Sequence, residues 1–403
     1  MRVIQRGCKV KILHVCLSEG SFTEGLTYQE NMLADQNAKD GMDVVVVTSC
    51  AHYKDGQIVP TNPEDRILSN GVRLVRMPLD FIFTKSISNK IRKTKLLRPL
   101  IKQLAPNVIL FHGCHSWELL TVARYKKDNP HVKLYVDSHA AFENSATNWL
   151  SKTILHGIIY RYFIHRAKNQ IEKLLCTSPL RLDFARQMYK VPHELLEVFM
   201  MGGIILDDTE RVKIRRDLRK AHGITEDQIL LLHAGKLEKI KKTLEFMKVF
   251  RGVPDPSFHL ILAGSIAEEI KHEFYSNLEA DSRIKYLGWI TGDELDRLYC
   301  AADVYLQPGR HSVNVENAIC KGCAIVASPS ANQMQTVSPE NGWVIQDTPE
   351  IREILLEISN NKDALNAKRE ASLAFAKENL DYTKLARRYI DNCGRYPDKG
   401  EKP

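Results

Sequence analysis

Residues 304–327 read VYLQPGRHSVNVENAICKGCAIVA, and this stretch decides the fold. Two short apolar runs, Val304–Leu306 and Ala324–Ala327, flank a Pro-Gly turn and a segment with helical spacing. Short, nearly continuous apolar runs that alternate with helices are typical of parallel strands covered on both faces. The stretch therefore predicts a strand, a tight loop, a helix and a second parallel strand.

The same alternation of apolar runs and helical segments continues along the whole chain. The predicted strands are 10–16, 44–47, 72–77, 108–111, 134–136 and 174–177 in the first half, and 229–233, 259–263, 284–287, 304–306, 324–327 and 343–345 in the second. Two such series predict an α/β protein with two doubly wound domains. Pro192, Gly202 and Gly203 interrupt the pattern, so we place the domains at 1–195 and 205–378.

The composition limits the class of protein. The chain has 403 residues, of which 44% are hydrophobic and 26% charged, which is typical of a globular protein with two domains. The nine cysteines are scattered and odd in number, which favours reduced thiols in the cytoplasm. The sequence offers no apolar run of the roughly 20 residues that cross a bilayer, and Lys9 and Lys11 interrupt the N-terminal apolar run before a signal-peptide core can form.

The positive charge is concentrated in the first half of the chain. The formal net charge of +8 divides into +10 for residues 1–200 and −2 for residues 201–403. A basic half suits nucleic acid, anionic lipid or a phosphorylated substrate. The sequence shows no zinc-finger spacing, RNA-binding aromatic motif or Lys/Arg-rich tail. We therefore expect no nucleic-acid partner.

Ligands of doubly wound sheets bind at the carboxyl ends of the strands, so the loops there are candidates for chemistry. The loop after the first strand contains Gly20 and Gly25, and is either a glycine-relieved turn or a ligand-facing loop. His139 follows the fifth strand and is either a structural residue or a hydrogen-bond donor near a developing negative charge. His112 and His115 lie at an equivalent strand end, which favours a binding role slightly.

The second half carries two further loops of this kind. One strand ends at Gly235 and is followed by four lysines, Lys236, Lys239, Lys241 and Lys242. Clustered lysines repel one another unless an anion is present, so they suit a diphosphate, although a solvated basic helix start is the alternative.

The loop within the opening stretch has the features of an anion site. Its backbone amides at Ser312, Val313 and Asn314 precede or begin a helix, where unpaired donors and the helix dipole favour negative charge. Glu316 falls in the first helical turn. A carboxylate there either complements the dipole alone or accepts hydrogen bonds from ribose hydroxyls.

The chain resembles the GT-B glycosyltransferases of family four, which use nucleotide sugars with retention. The matching strings are AGKLEKIKK, LILAG, YLGWITGDELDRLYCAADVYLQP and ENAICKGCAIVAS in the second half, and ILHV, DVVVVTS, PNVILFHG and YVDSHAAF in the first. The resemblance implies two Rossmann-like domains facing a cleft, with the acceptor on the first and the donor on the second. It also implies that a C-terminal helix over 380–395, which contains DYTKLARRYID, packs back on the first domain.

The resemblance also implies roles for individual residues. Lys236 stands where the family usually has an arginine, and Lys241 matches its lysine, so both would hold the donor diphosphate. His139 matches the histidine that reaches the donor sugar and the reacting phosphate. We therefore expect His139, Lys236 and Lys241 to be catalytic, and the donor-binding residues to be Gly20, Gly235, Lys236, Lys241, His311, Ser312, Val313, Asn314 and Glu316.

One residue departs from the family pattern. Glu316 matches the second glutamate of a pair separated by seven residues, which is expected on the ribose, and the first should stand at position 308, which is Pro308. The carboxylate that normally contacts the donor sugar is therefore missing. His311, Ser312 or Asn314 is expected to replace it, with a change in donor choice.

The implied reaction moves a sugar from a nucleoside diphosphate, which we expect to be UDP, to an acceptor hydroxyl. Lysines and helix-end amides would stabilise the departing diphosphate, so we expect neither a metal ion nor a cofactor. A nucleotide-sugar epimerase of GT-B architecture and a noncatalytic nucleotide-sugar-binding relative are the alternatives, and Pro308 favours the latter.

Two segments of the basic half suggest where the acceptor lies. Residues 81–104 carry seven basic residues and no acid, interleaved with apolar ones, and residues 150–168 are also basic and aromatic. Such segments suit an anionic membrane surface, although amphipathic helices that cover a sheet are the alternative. We expect a lipid-linked or glycan acceptor and a cytoplasmic protein that is peripheral on the inner face of the membrane.

Overall fold

A computed structural model describes residues 9–54, 57–142, 144–310, 312–330 and 333–390. The described chain forms two compact units, each with its own sheet and core. Residues up to Met200, together with those from Tyr382 onward, form the first domain, and Met201–Asp381 form the second. The predicted ranges 1–195 and 205–378 fall within these units.

The first domain is built on a sheet of eight strands. Its described strands are β1 Lys11–Cys16, β2 Asp43–Ser49, β3 Ala51–Lys54, β4 Gln57–Pro60, β5 Glu64–Ile67, β6 Arg73–Met77, β7 Val108–Phe111, β8 Lys133–Ser138, β9 Lys173–Cys176 and β10 Leu196–Val198. The sheet order is β10-β9-β8-β7-β1-β2-β6-β5, with only β5 antiparallel to its neighbour, and β3 and β4 form a separate hairpin. The chain enters at the centre and winds to one side and then the other, as doubly wound folds do.

The sequence explains the central strands directly. β2 reads DVVVVTS, and its four valines are buried because helices cover both faces of a parallel sheet. The described helices before residue 200 are α1 Gln29–Lys39, α2 Lys85–Ile91, α3 Leu97–Leu104, α4 Glu118–Asp128, α5 Arg161–Ala167 and α6 Pro179–Tyr189, and a π-helix over Ser151–Tyr160 leads into α5.

The second domain has a six-stranded parallel sheet. Its described strands are β11 Ile229–Ala234, β12 Phe258–Ala263, β13 Ile284–Tyr286, β14 Val304–Gln307, β15 Ala324–Ala327 and β16 Gly342–Val344. Its described α-helices are α7 Asp208–His222, α8 Thr243–Arg251, α9 Lys271–Glu279, α10 Gly292–Ala301, α11 Asn314–Cys320, α12 Glu350–Asn360 and α13 Lys362–Asn379. The sheet order β13-β12-β11-β14-β15-β16 again starts at the centre. The strand, loop, helix and strand predicted over 304–327 are β14, its loop, α11 and β15.

A buried carboxylate at the start of β14 joins several elements of the second domain. Asp303 is 3% exposed, and its oxygens lie 2.8 Å from Arg215 Nη2 and 3.0 Å from Arg219 Nη1. They also accept the Leu230 amide at 2.8 Å and face Arg369 Nη1 at 3.4 Å. Burial alone would raise the pKa of Asp303, but the surrounding arginines hold it below its usual value. The cluster therefore connects α7, β11 and α13 to β14.

The last described segment belongs to the first domain. Helix α14, Tyr382–Arg388, packs through Tyr382 and Leu385 against a core that includes Ile12 and Leu33. Arg387 makes a two-pronged ion pair with Asp40 at 3.0 and 3.2 Å. The expected helix over 380–395 thus begins as α14, while residues 391–395 lie outside the described part of the chain. In the ranges that the structure describes, no helix is both long enough and apolar enough to cross a membrane.

Candidate functional site

The candidate donor loops follow β11 and β14, which are adjacent at the centre of the second sheet. This is the point where the strand order reverses, the usual ligand position in such folds. Gly309, in the loop after β14, lies against the loop after β11. A Cβ atom added to Gly309 would be 2.3 Å from the Ile240 carbonyl oxygen and 2.6 Å from Lys241 Cα. Only glycine allows this approach without displacing the backbone.

Hydrogen bonds connect these two loops at several points. The Asn314 side-chain amide donates to the Ala234 carbonyl at 3.0 Å, and the Arg310 amide donates to the Ile240 carbonyl at 3.1 Å. The turn after β11 needs glycine at Gly235, with φ of +116°. The neighbouring turn after β12 needs glycine at Gly264, where a Cβ atom would be 1.8 Å from the Gly235 oxygen. The loops therefore form one connected structure.

The two candidate lysines have different environments. Lys241 ends a 3₁₀ turn, and its ammonium donates to the Arg310 carbonyl at 2.8 Å. Burial lowers the pKa of Lys241, partly offset by Glu238. The Lys236 side chain is 64% exposed and its Nζ lies 3.2 Å from Glu238 Oε2. The structure thus brings Lys241 to the loop after β14 and leaves Lys236 in a surface ion pair.

The remaining predicted donor residues lie at the start of α11. Glu316 is buried in its first turn, Ser312 is half-buried, and Val313 is exposed. The Ser312 carbonyl accepts the Val315 amide at 3.1 Å, which occupies one of the helix-end donors. His311 lies outside the described residues.

A pocket of about 320 Å³ opens in the first domain, at the carboxyl ends of β1, β7 and β8. Its lining includes Ser18, Ser21, Glu30, Arg92, His115 and His139. Gly20 is in the left-handed region at φ of +71°, but it is buried against Ile58 of β4, 3.4 Å from where its Cβ would be. The serines on either side of Gly20 line the pocket, and Gly20 shapes the turn.

His139 is partly exposed to this pocket and is paired with a buried carboxylate. Its Nε2 lies 3.7 Å from Asp137 Oδ1, an ion-pair distance longer than a hydrogen bond. Burial would lower the pKa of His139, but Asp137 outweighs it and raises the pKa. Asn144 and Arg181 both donate to the His139 carbonyl, at 3.1 Å each. The contact with Asp137 therefore favours the protonated form of His139.

Sequence reasoning named His112 but did not find the buried contacts that connect it to Asp137 and His14 behind His139. Asp137 Oδ2 lies 2.5 Å from His112 Nδ1, its Oδ1 accepts the Gly113 amide at 2.7 Å, and His112 Nε2 lies 3.0 Å from His14 Nδ1. Burial, followed by the charge of His112, lowers the pKa of His14 to about 3. The available signal was a single polar residue, His14, inside the apolar run KILHVC of β1.

Arg92 was interpreted as one of the surface charges of residues 81–104, and this was wrong. Arg92 ends α2 in the left-handed conformation, with φ of +52°. This conformation directs its guanidinium inward, where Nη1 donates to the His115 carbonyl at 2.8 Å and the side chain lines the pocket. Among the residues that the structure describes, no carboxylate forms an ion pair with Arg92, and its Nε is buried without a hydrogen-bond partner.

The described residues contain no group of three His, Cys, Asp or Glu side chains placed to hold a metal ion. The cysteine pair with zinc-like spacing, Cys320 and Cys323, is buried, and burial raises the pKa of both thiols to about 12. These thiols therefore belong to the packing of α11 and β15.

Residues 214–372 match the family described as Glycosyl transferases group 1. A curated protein, the uncharacterized glycosyltransferase MJ1607 of Methanocaldococcus jannaschii, is 25% identical over 179 residues. That match covers 40% of this chain and 44% of the relative, so the chain spans less than half of the relative's length.

Solved structures resemble nearly the whole chain. Sucrose-phosphate synthase from Thermosynechococcus elongatus has a TM-score of 0.66 at 14% identity, covering 95% of this chain and 98% of that one. Anabaena HepE in complex with UDP and glucose has a TM-score of 0.59 at 16% identity, covering 95% and 99%. WaaG, a glycosyltransferase involved in lipopolysaccharide biosynthesis, has a TM-score of 0.60 at 16% identity, also covering 95% and 99%. The chain therefore has the GT-B fold, and residues 214–372 of its second domain carry the match to the group 1 glycosyl transferases.

Proposed function

We propose that the protein is a retaining glycosyltransferase that moves a sugar from a nucleoside-diphosphate sugar to a hydroxyl of a lipid-linked or polysaccharide acceptor. The proposed donor is a UDP-sugar, because the similar structure of HepE contains UDP and glucose. Lys241 supplies positive charge to the departing diphosphate, His139 is the catalytic residue of the first domain, and no metal ion takes part. The reaction takes place at the inner face of the membrane.

The observation that carries this proposal is the connection between the loops after β11 and β14. Lys241 is fixed by the Arg310 carbonyl beside a loop that leads into α11, where Glu316 is buried. A lysine and a carboxylate held at the centre of a doubly wound sheet suit the diphosphate and the ribose of one nucleotide.

Purified protein incubated with a panel of nucleotide sugars tests the proposed function. We expect nucleotide release that depends on added membranes or lipid-linked glycan and that persists in EDTA. Isomerised sugar without an acceptor would instead identify an epimerase. Binding without turnover would identify a noncatalytic relative, the alternative that Pro308 favours because a proline replaces the expected sugar-binding carboxylate.

Replacing Glu316 with glutamine should weaken UDP binding by about 1–3 kcal/mol, because ribose hydroxyls lose a charged acceptor. Isothermal titration with UDP measures this change. Glu353→Gln, in the exposed first turn of α12, is the matched control and should leave affinity unchanged. Equal affinity of the Glu316→Gln variant and the wild type would restrict Glu316 to a helix-end charge.

The acceptor side of the proposal rests on the first domain. Exposed aromatic residues, Phe81 at 77% and Phe83 at 89% exposure, precede α2, and Trp149 is 72% exposed before the π-helix. The two segments are adjacent, because the Tyr160 hydroxyl donates to the Lys90 carbonyl at 2.9 Å. Exposed apolar and basic side chains together suit an anionic interface. The guanidinium of Arg92, which forms no ion pair with a carboxylate of the described residues, suits an anionic group on the acceptor.

Neutralising four exposed basic residues within the segment 81–104 should reduce binding to anionic vesicles. The variant replaces Lys85, Lys90, Lys95 and Arg98 with glutamine and leaves Arg92 intact. We expect a loss of about 1 kcal/mol per charge, and wild-type binding that fades as salt rises. Co-sedimentation with vesicles containing phosphatidylglycerol measures both effects without a known donor.

The matched control for the vesicle experiment neutralises four exposed charges of the second domain, Lys213, Arg216, Lys220 and Lys248. This variant has the same change in net charge and should bind vesicles nearly as well as the wild type. An equal loss of vesicle binding in both variants would mean that net charge alone drives binding. If neither variant loses vesicle binding, the proposal that the protein acts at a membrane is contradicted.

A further inference from the structure

A continuous chain of buried polar groups runs from the last described segment to the first-domain pocket. The Tyr389 hydroxyl lies 2.8 Å from Asn37 Oδ1, which lies 3.1 Å from His14 Nε2. His14 Nδ1 then lies 3.0 Å from His112 Nε2, and His112 Nδ1 lies 2.5 Å from Asp137 Oδ2. Each of these five side chains is at most 5% exposed. Solvent therefore cannot complete the hydrogen bonds of this chain, and its members must satisfy one another.

The orientation of the Asn37 amide sets the direction of the hydrogen bonds. Asn37 Nδ2 lies 3.2 Å from the Ala386 carbonyl oxygen in α14, which can only accept, so the nitrogen must face it. Oδ1 consequently faces both Tyr389 and His14 and accepts from both. His14 must therefore carry its proton on Nε2.

The protonation of His14 in turn determines that of His112. His14 is fully buried and neutral, so with a proton on Nε2 its Nδ1 has only a lone pair. A lone pair 3.0 Å from His112 Nε2 requires that this nitrogen donates. The remaining nitrogen, His112 Nδ1, faces Asp137, and one proton lies between them.

The surroundings of Asp137 decide where that proton resides. Asp137 Oδ1 accepts the Gly113 amide at 2.7 Å and faces His139 Nε2 at 3.7 Å. Both contacts favour a carboxylate over a carboxylic acid. The proton therefore stays on His112 Nδ1, and both nitrogens of His112 are protonated.

We propose that His112 is a buried imidazolium, fixed in that state by a hydrogen-bond chain that begins on the C-terminal segment, and that it serves as a positioning residue for the Asp137–His139 pair. Of the five hydrogen-bonded side chains, His112 alone lines the pocket, which it shares with His139. His112 donates to Asp137 and so fixes the position of its carboxylate, while the positive charge of His112 offsets part of the effect by which Asp137 raises the pKa of His139. The role of His139 rests on the proposed function, whereas the protonation state of His112 does not.

Nitrogen NMR of the full chain with ¹⁵N-labelled histidine tests the protonation states directly. In the neutral pH range, we expect the His112 ring to show two protonated nitrogens and the His14 ring one, on Nε2. His112→Gln and His14→Gln variants assign the signals. A His112 ring with one bare nitrogen in this range would overturn the proposal, whatever the protein catalyses.

An Asn37→Asp variant tests the direction of the chain. A carboxylate at position 37 draws a second proton onto His14, whose Nδ1 then donates to His112 Nε2, so the excess proton should move from the His112 ring to the His14 ring. Tyr389→Phe is the matched control, because Asn37 still faces Ala386 and the wild-type protonation pattern should persist. If Asn37→Asp does not fold, the wild-type spectrum alone decides whether both nitrogens of His112 are protonated.

Donor turnover as a function of pH tests the positioning role. The groups that act on His139 from neighbouring elements are Asp137, Glu30, Arg181 and His115. Because protonated His139 is the active form, kcat should fall as pH rises through its raised pKa. Moving the charge from His112 to His14 should shift this fall to higher pH by about one unit, with little change in KM. An unshifted pH profile of kcat in the Asn37→Asp variant would contradict the positioning role of His112. Absence of turnover in the wild type would contradict only the proposed function.

Discussion

Replacing Lys241 with alanine should lower the rate of sugar transfer by about 10²-fold or more. The ammonium is partly buried and fixed against the Arg310 carbonyl, so its charge acts on the departing diphosphate with little screening by water. The effect should fall mainly on kcat, because the negative charge on the leaving nucleotide is largest in the transition state. Steady-state kinetics with the active donor from the nucleotide-sugar panel measures it.

Two further variants separate the charge of Lys241 from its structural contact. Lys239→Ala removes an exposed lysine of the same 3₁₀ turn and should retain nearly the wild-type rate. Lys241→Gln keeps a donor for the Arg310 carbonyl but removes the charge, so it should be nearly as slow as Lys241→Ala. A glutamine variant with the wild-type rate would show that Lys241 holds the loop and has no electrostatic role.

Replacing Asp303 with asparagine should lower the free energy of unfolding of the second domain by about 3–5 kcal/mol. The change keeps the shape of the side chain but leaves Arg215, Arg219 and Arg369 without the carboxylate that they surround. Because the pKa of Asp303 is lowered in the folded protein, this stabilisation is present above the unfolded value of 3.8 and is lost as pH falls below it. Urea unfolding at neutral pH and near pH 3 should show the difference shrinking in acid.

Asp217→Asn is the control for this measurement. Asp217 lies on the exposed side of α7, 3.5 Å from Arg216, and its replacement should change stability by less than about 0.5 kcal/mol. Because a protein with two domains need not unfold in one step, the transition of the second domain has to be followed separately. A small effect of Asp303→Asn at neutral pH would mean that water reaches the arginine cluster.

The central strands could be predicted because their consecutive residues are apolar and therefore buried. The runs of valine, isoleucine and leucine in β2 and β11 are too apolar to lie in water, so they predict buried strands. The observed strands begin and end within two residues of the predicted ones. The three-residue edge strand β10 was missed, and so were the strands β3, β4 and β5. Their side chains are mostly exposed, so backbone pairing and not burial defines them, and backbone pairing leaves little trace in a single sequence.

Residues of the candidate site could be predicted from the sequence only where they follow a predicted strand. Lys241 and Glu316 follow apolar runs of the second sheet and His139 follows one of the first, and they were predicted because ligands bind at the carboxyl ends of parallel strands. The inward position of Arg92 depends on one left-handed residue at the end of α2, which nothing in the surrounding basic sequence indicates. The contact between Asn37 and Tyr389 joins residues 352 positions apart, and spacing within motifs carries no information at that range.

The division of the first domain between the two ends of the chain bears on how the protein is made. A ribosome releases residues up to Met200 first, but the core residues Tyr389 and Ile390 emerge only after the whole of the second domain. At about 5–20 residues per second, this delay lasts roughly 10–40 s. During that time the nascent first domain exposes the apolar surface that α14 later covers, and Asn37, which contacts His14, lacks its own hydrogen-bond partners Ala386 and Tyr389. A chaperone that binds exposed apolar surface therefore has a defined period in which to act, which ends when the C-terminal segment docks.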